Sequence, residues 1–181
     1  MKVYIRLIID FLSQKVVIWP LKLSILFLGI AVLLVSVGFR WNVTPSLPYG
    51  IYLLESDYSI NHLDKNDIVA FKLDTLTSLA HSRGYLLKNN QVAKYIMAMP
   101  GDTITVKEDC VIVNNDTLHN SAKYNFDSKG RRLPQFWADH KILSSTEYFF
   151  FSPVIKSFDS RYFGLINESQ FLGTLDPIIT F

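Results

Sequence analysis

The stretch Leu23–Phe39, LSILFLGIAVLLVSVGF, carries no charge and only two serines. With Leu21 and Lys22 it reaches 19 residues, and about 17–25 suffice to cross a bilayer as a helix. Lys22 can snorkel to an interface, and Trp19 and Trp41 flank the stretch as interfacial aromatics do. Lys2, Arg6, Lys15 and Lys22 precede it against a single acid, Asp10, while Arg40 follows it. That bias puts the N-terminus in the cytoplasm and the chain from about residue 42 outside it. A cleaved signal peptide is the alternative. It fits less well, because the charged lead is long, the apolar stretch exceeds a signal h-region, and Arg40-Trp41 is no small-residue cleavage site. The expected organisation is a cytoplasmic segment 1–20, a transmembrane anchor 21–40 and a single domain 41–181. Residues 1–19 suit a helix lying on the membrane surface, separated from the span by Pro20.

Of 181 residues, about 140 remain beyond the anchor, enough for one domain with a real core. Lys and Arg total 18 against 16 Asp and Glu, a net charge of +2, which gives no basis for a nucleic-acid partner. Cys110 is the sole cysteine and forms no internal disulfide. It reads as a strand-core residue ahead of Val111-Ile112-Val113. His62, His81, His119 and His140 are scattered without metal-ligand spacing, and no glycine-rich phosphate loop is present. No metal or cofactor is expected, and a Ser-His-Asp triad is unsupported. Arg131-Arg132 reads as a solvated pair in a loop.

Beyond Gly50 the signals are strands: 51–54, 67–72, 92–99, 103–107, 111–113, 147–152 and 177–181. Asn114-Asn115-Asp116 marks a tight turn. Residues 73–90 hold a short helix or a loop, and 119–140, polar with Gly130 and Pro134, a long excursion. The fold class is mainly β: a β-rich domain on one N-terminal transmembrane helix.

Three segments carry polar groups suited to chemistry. In Thr44-Pro45-Ser46-Leu47-Pro48-Tyr49-Gly50 a serine stands between two prolines, with a glycine releasing the backbone after it. Ser46 is seven residues from Phe39, at most about 25 Å of extended chain, so its hydroxyl stays near the bilayer surface. A serine nucleophile needs a base, and a lysine with a depressed pKa can serve. Lys94 lies inside the apolar run Val92–Met99. A pKa near 10.4 would have to fall by about 3 units, which burial can supply. A strand lysine facing solvent is the plain alternative. The third segment, Ser157-Phe158-Asp159-Ser160-Arg161-Tyr162-Phe163-Gly164, pairs a carboxylate with a guanidinium, and by itself could be a turn.

Together these segments resemble the Ser/Lys-dyad signal peptidase family, with the nearest match in its conjugative-transfer branch, the TraF-type enzymes that mature pilin subunits. Asn42 to Tyr52 looks like that branch's nucleophile box, N-x-T-x-S-x-P-x-G-x-Y. Lys94 to Asp102 looks like the lysine box ending in P-G-D, and Ser157 to Gly164 like the S-x-D-S-R-Y-x-G box. Arg83-Gly84-Tyr85-Leu86 and Gly130-Arg131-Arg132-Leu133-Pro134 also resemble the branch, the latter departing from G-R-P-L-P. Asn66-Asp67-Ile68-Val69 stands where Gly-Asp-Ile-Val is usual.

The resemblance implies a signal-peptidase-like catalytic domain, periplasmic on a single-pass bacterial inner-membrane anchor. It implies Ser46 as nucleophile and Lys94 as general base. Thr44 with the Ser46 N–H would form the oxyanion hole, and Ser157 would orient the lysine. Asp159 and Arg161 would be a supporting pair, with a direct influence of Asp159 left open. The implied function is a serine endopeptidase that trims a secreted precursor, foremost a conjugative pilin, with hydrolysis and peptide cyclisation both open. The implied partners are a pilin-like precursor, membrane lipid, and components of a conjugation or type IV secretion apparatus. A general signal peptidase is one alternative; a non-catalytic anchored component of a secretion channel is another.

Overall fold

The computed structural model describes residues 2–86 and 90–181, with side chains for 4–6, 18–86 and 90–181. Two compact units divide the chain, residues 1–39 and 40–181.

The first unit is one helix, α1 (Lys2–Ser36), with Pro20 inside it. This corrects the expectation that Pro20 separates two helical segments. A proline lacks one N–H and so removes one intrahelical bond; the apolar turns on either side form without it. Ile18–Ser36 is long and apolar enough to cross a membrane. Lys22 lies 5.6 Å over the Trp19 ring one turn away. The expected surface disposition of residues 1–19 falls largely on side chains outside the described residues.

The second unit is mainly β. Its strands are β1 (Phe39–Asn42), β2 (Gly50–Glu55), β3 (Ile68–Lys72), β4 (Gln91–Ala98), β5 (Thr103–Val106), β6 (Val111–Val113), β7 (Asp116–Thr117), β8 (Ala138–Ile142), β9 (Glu147–Phe151), β10 (Ile166–Asn167) and β11 (Phe171–Thr180). Two short helices, α2 (Thr77–Arg83) and α3 (Ser160–Phe163), interrupt them. One sheet has the order β1-β2-β11-β3-β4-β9-β10 and the other β7-β6-β5-β8.

The aromatic run in β9 explains how the sheets join. Successive side chains of a strand point to opposite faces. Tyr148 and Phe150 enter one core with Val69, Phe71 and Ile96. Phe149 and Phe151 enter a second with Ile104, Val106 and Val111. A strand buried on both faces has no polar alternation, and this one has none.

Three local expectations are corrected. The 119–140 excursion ends in a strand, because β8 pairs with β5. The last strand begins at Phe171 rather than 177 and inserts between β2 and β3. Gly173, Asp176 and Pro177 mask it in sequence, being poor strand formers. Cys110 precedes β6 and is half-buried, not a strand-core residue.

Two glycines make that insertion possible. A Cβ on Gly50 would stand 2.1 Å from Ile179 O, and one on Gly173 2.2 Å from Glu55 O. Gly50 therefore serves close approach of β11 to β2, a role its place after the serine did not suggest.

Candidate active site

The loop between β1 and β2 carries Ser46, and the Asn42 carboxamide closes it. Asn42 Nδ2 donates to Thr44 O at 2.9 Å, Leu47 O at 3.0 Å and Pro48 O at 2.9 Å. Asn42 Oδ1 accepts from Thr44 N at 3.1 Å and from Thr44 Oγ1 at 2.7 Å. The Tyr52 hydroxyl donates to Pro48 O at 2.8 Å. From the far end of β9, Ser152 Oγ donates to Ser46 O at 2.7 Å. Leu47 is buried and plugs the loop into a core with Tyr52, Ile68, Ala70 and Leu175.

Lys94 lies on β4 opposite Val69 of β3. Along β4 the buried positions are Val92, Lys94, Ile96 and Ala98, and Lys94 is only 5% exposed. The solvent-facing alternative is thereby excluded. Burial pulls its ammonium down to about 8, with Asp159 opposing the fall and Arg161 adding to it. At neutral pH a usable fraction of the amine is thus free of its proton.

Behind the lysine, Asp159 caps α3 by accepting from Arg161 N. The same carboxylate takes Arg161 Nε at 2.8 Å and Nη2 at 2.8 Å, with both side chains fully buried. Arg161 also donates to Ala122 O at 2.9 Å and Ser157 O at 3.4 Å. The pair therefore ties the excursion to the Ser157 turn. Asp159 Oδ2 further accepts from Ser152 N at 3.4 Å. Ser157 Oγ is the one buried side-chain polar atom without a hydrogen-bond partner among the described residues. An unsatisfied buried hydroxyl costs about 1–3 kcal/mol and calls for an explanation.

Thr44, Ser46, Lys94 and Ser157 all line a single cleft of about 520 Å³. Asp159 and Arg161 lie beneath it and do not line it. Apolar side chains, among them Leu54, Leu172 and Leu175, cover much of its remaining wall. The arrangement combines a hydroxyl on a braced loop with an amine of lowered basicity in one cleft. Such a pair can transfer an acyl group. The Thr44 hydroxyl points its proton at Asn42 Oδ1.

Another wall of the cleft is formed by Gly84, Tyr85 and Leu86, and here the two remaining motifs meet. The Tyr85 hydroxyl donates to Asp127 Oδ2, and Arg131 pairs with the same carboxylate at 2.7 Å. Arg83 Nη1 donates to Arg132 O at 2.7 Å. The Tyr85 ring lies 5.0 Å from that of Phe158, the neighbour of Ser157, tilted by 42°. Burial favours the neutral acid at Asp127, but the bonds from Tyr85 and Arg131 hold its carboxyl well below the usual range. Arg131 is therefore a brace and not the solvated loop residue its neighbourhood suggested.

Asn42 opens the nucleophile box, yet its position alone assigned it no task. Ser152 carries no local signal, since its partner is 106 residues away.

A family model described as "Signal peptidase, peptidase S26" matches residues 12–180. The chain belongs to the signal peptidase family, and membership gives it a serine-peptidase role. Within that family it is 32% identical over 171 residues to a plasmid transfer protein TraF of Escherichia coli, covering 87% of this chain and 94% of the relative. It is 30% identical over 171 residues to a conjugal transfer protein TraF of Agrobacterium fabrum, covering 86% and 94%. Among solved structures, a signal peptidase I from Enterococcus faecalis aligns with TM-score 0.38 and 25% identity, over 65% of this chain and 99% of that one.

Proposed function

We propose that the protein is a membrane-anchored Ser/Lys endopeptidase that cuts a secreted precursor after a small residue, foremost a conjugative pilin. The observation that carries this reading is the single cleft lined by Ser46, Lys94 and Ser157, with the lysine amine buried. Lys94 takes the Ser46 hydroxyl proton as Oγ bonds to the scissile carbonyl carbon. The C–N bond then breaks, and Lys94 returns the proton to the leaving amine. The acyl-enzyme is resolved by water, or by an amine of the substrate itself, which closes a ring. Ser157 Oγ makes no hydrogen bond among the described residues, to Lys94 or to any other; lining the same cleft as Lys94, it is assigned to orient the amine once substrate fills that cleft. Thr44 and the Ser46 N–H stabilise the oxyanion, where one such donor is worth about 3–4 kcal/mol. The helix α1 anchors the enzyme in the bacterial inner membrane, with its catalytic unit on the periplasmic side. The names of the relatives, plasmid and conjugal transfer proteins, favour a substrate from a transfer apparatus.

The test is co-expression with a pilin precursor and mass measurement of the product, beside Ser46→Ala and Lys94→Ala. Cleavage that survives either substitution overturns the dyad. A product one water lighter than the linear peptide identifies cyclisation. Broad trimming of exported proteins with an intact pilin precursor points to a general signal peptidase.

A further inference from the structure

The Ser46 loop is laced together by one side chain, that of Asn42. Asn42 makes five polar contacts within the stretch 42–48: three from Nδ2, whose two protons are shared among three carbonyls, and two accepted by Oδ1. The carbonyls held by Nδ2 belong to Thr44, Leu47 and Pro48, which bracket Ser46 on both sides. Ser46 Oγ makes none of these bonds and is left to the cleft.

The bonds to Oδ1 matter for a different reason. An amide oxygen only accepts, so the proton of the 2.7 Å contact lies on Thr44 Oγ1 and is directed at Asn42 Oδ1. Thr44 is itself exposed, so its hydroxyl is free to rotate. When it turns away, Oδ1 keeps the bond from Thr44 N and is not left unsatisfied, so the rotation costs little. A neutral carbonyl competes poorly with Oδ1 for that proton, whereas an oxyanion, as a charged acceptor, wins it.

We propose that Asn42 is the positioning residue of the nucleophile loop. Its Nδ2 holds the backbone around Ser46, and its Oδ1 holds the Thr44 hydroxyl until an oxyanion forms. Thr44 then stabilises the transition state without binding the ground state, the condition for raising kcat rather than lowering KM. Nothing is transferred covalently in this step; one O–H···O bond is exchanged for another. The inference rests on the roles proposed above for Ser46 and Thr44.

The experiment is a double-substitution cycle on the full chain in detergent micelles, read as kcat and KM on an internally quenched peptide with an Ala-x-Ala junction. Thr44→Val is expected to lower kcat by about 100-fold with KM within twofold. Asn42→Ala is expected to lower kcat by about 30-fold in the parent and at least fivefold less in the Thr44→Val background, because part of its effect runs through Thr44. Equal losses in both backgrounds, or a raised KM with kcat unchanged, overturn the proposal. Thermal unfolding checks each variant. If Asn42→Ala fails to fold, Asn42→Asp replaces it: it loses the donated bonds, and its charged carboxylate holds the Thr44 proton against the oxyanion, so its loss of kcat is again expected to shrink in the Thr44→Val background. Ser46→Ala separates the two levels. Cleavage that survives it overturns the dyad itself; its loss, together with additive Asn42 and Thr44 effects, overturns only the role of Asn42.

Discussion

Ser152 Oγ donates a 2.7 Å hydrogen bond to the carbonyl oxygen of Ser46. This contact joins the Ser46 loop to the buried ion pair, because the Ser152 N–H points to Asp159 Oδ2 at 3.4 Å. Arg161, Asp159, Ser152 and Ser46 thus form one polar chain from the interior to the cleft.

Ser152→Ala removes that link without adding volume at a fully buried position. The expected cost is about 1 kcal/mol of stability. A loosened Ser46 should lower kcat by about 3- to 30-fold with KM little changed. Urea denaturation and steady-state kinetics on the full chain check both. An unchanged kcat would remove Ser152 from the positioning network.

Lys94 gives the pH dependence. Its pKa falls from 10.5 in an open chain to about 8 in the fold, so activity should rise with pH along a limb centred near 8. At this group the unfolded chain binds more protons than the fold between those values, so the Lys94 contribution to stability rises with pH across about 8 to 10.5; tyrosines such as Tyr52, Tyr95 and Tyr162, raised by burial, oppose it at the top of that window. Below 8 the full penalty is present: a shift from 10.5 to about 8 corresponds to about 3 kcal/mol. Lys94→Met should therefore be inactive and, at pH 7, more stable than the parent by up to that amount. Lys123, also pulled to about 8 by burial with Glu108 opposing, titrates in the same window. Part of the pH slope in stability should survive Lys94→Met and vanish with Lys123→Met. A Lys94→Met protein less stable than the parent would contradict this account.

Asp159 raises the Lys94 pKa and Arg161 lowers it. Asp159→Asn should consequently move the acid limb of the pH–rate profile to lower pH. It also leaves the Arg161 guanidinium buried without its carboxylate, at an expected cost of about 3–5 kcal/mol. The profile should be measured at low temperature, where the folded fraction suffices. An acid limb displaced upward would refute the assignment of Asp159 as the nearest opposing charge.

Gly50→Ala tests the closure of β2 on β11. The added Cβ would meet Ile179 O at 2.1 Å, a backbone atom that cannot swing aside. A loss of about 3 kcal/mol or more is expected, read as a shifted denaturation midpoint. The same test at Gly130, where a Cβ meets nothing within 4 Å, should cost far less despite its positive φ.

Much of this protein was legible in its sequence because the signals are local. An uncharged run such as Leu23–Ser36, too long for a buried strand, reads as an apolar helix. Alternation in 103–107 and the aromatic run in β9 mark strands, and the boxes around Ser46, Lys94 and Ser157 carry the family resemblance. The tertiary structure decided the rest. Ala93, Tyr95 and Met97 are as apolar as Val92, Ile96 and Ala98, so periodicity alone could not say which face of β4 turns Lys94 inward. The Val69 register and the packed core decide that, and with it the lowered basicity of the amine. The insertion of β11 between β2 and β3 depends on two close backbone approaches, at Gly50 and Gly173, which no local pattern encodes. The bond from Ser152 to Ser46 spans 106 residues. A hydrogen bond fixes distance in space and leaves no periodic trace along the chain, so only the fold could reveal it.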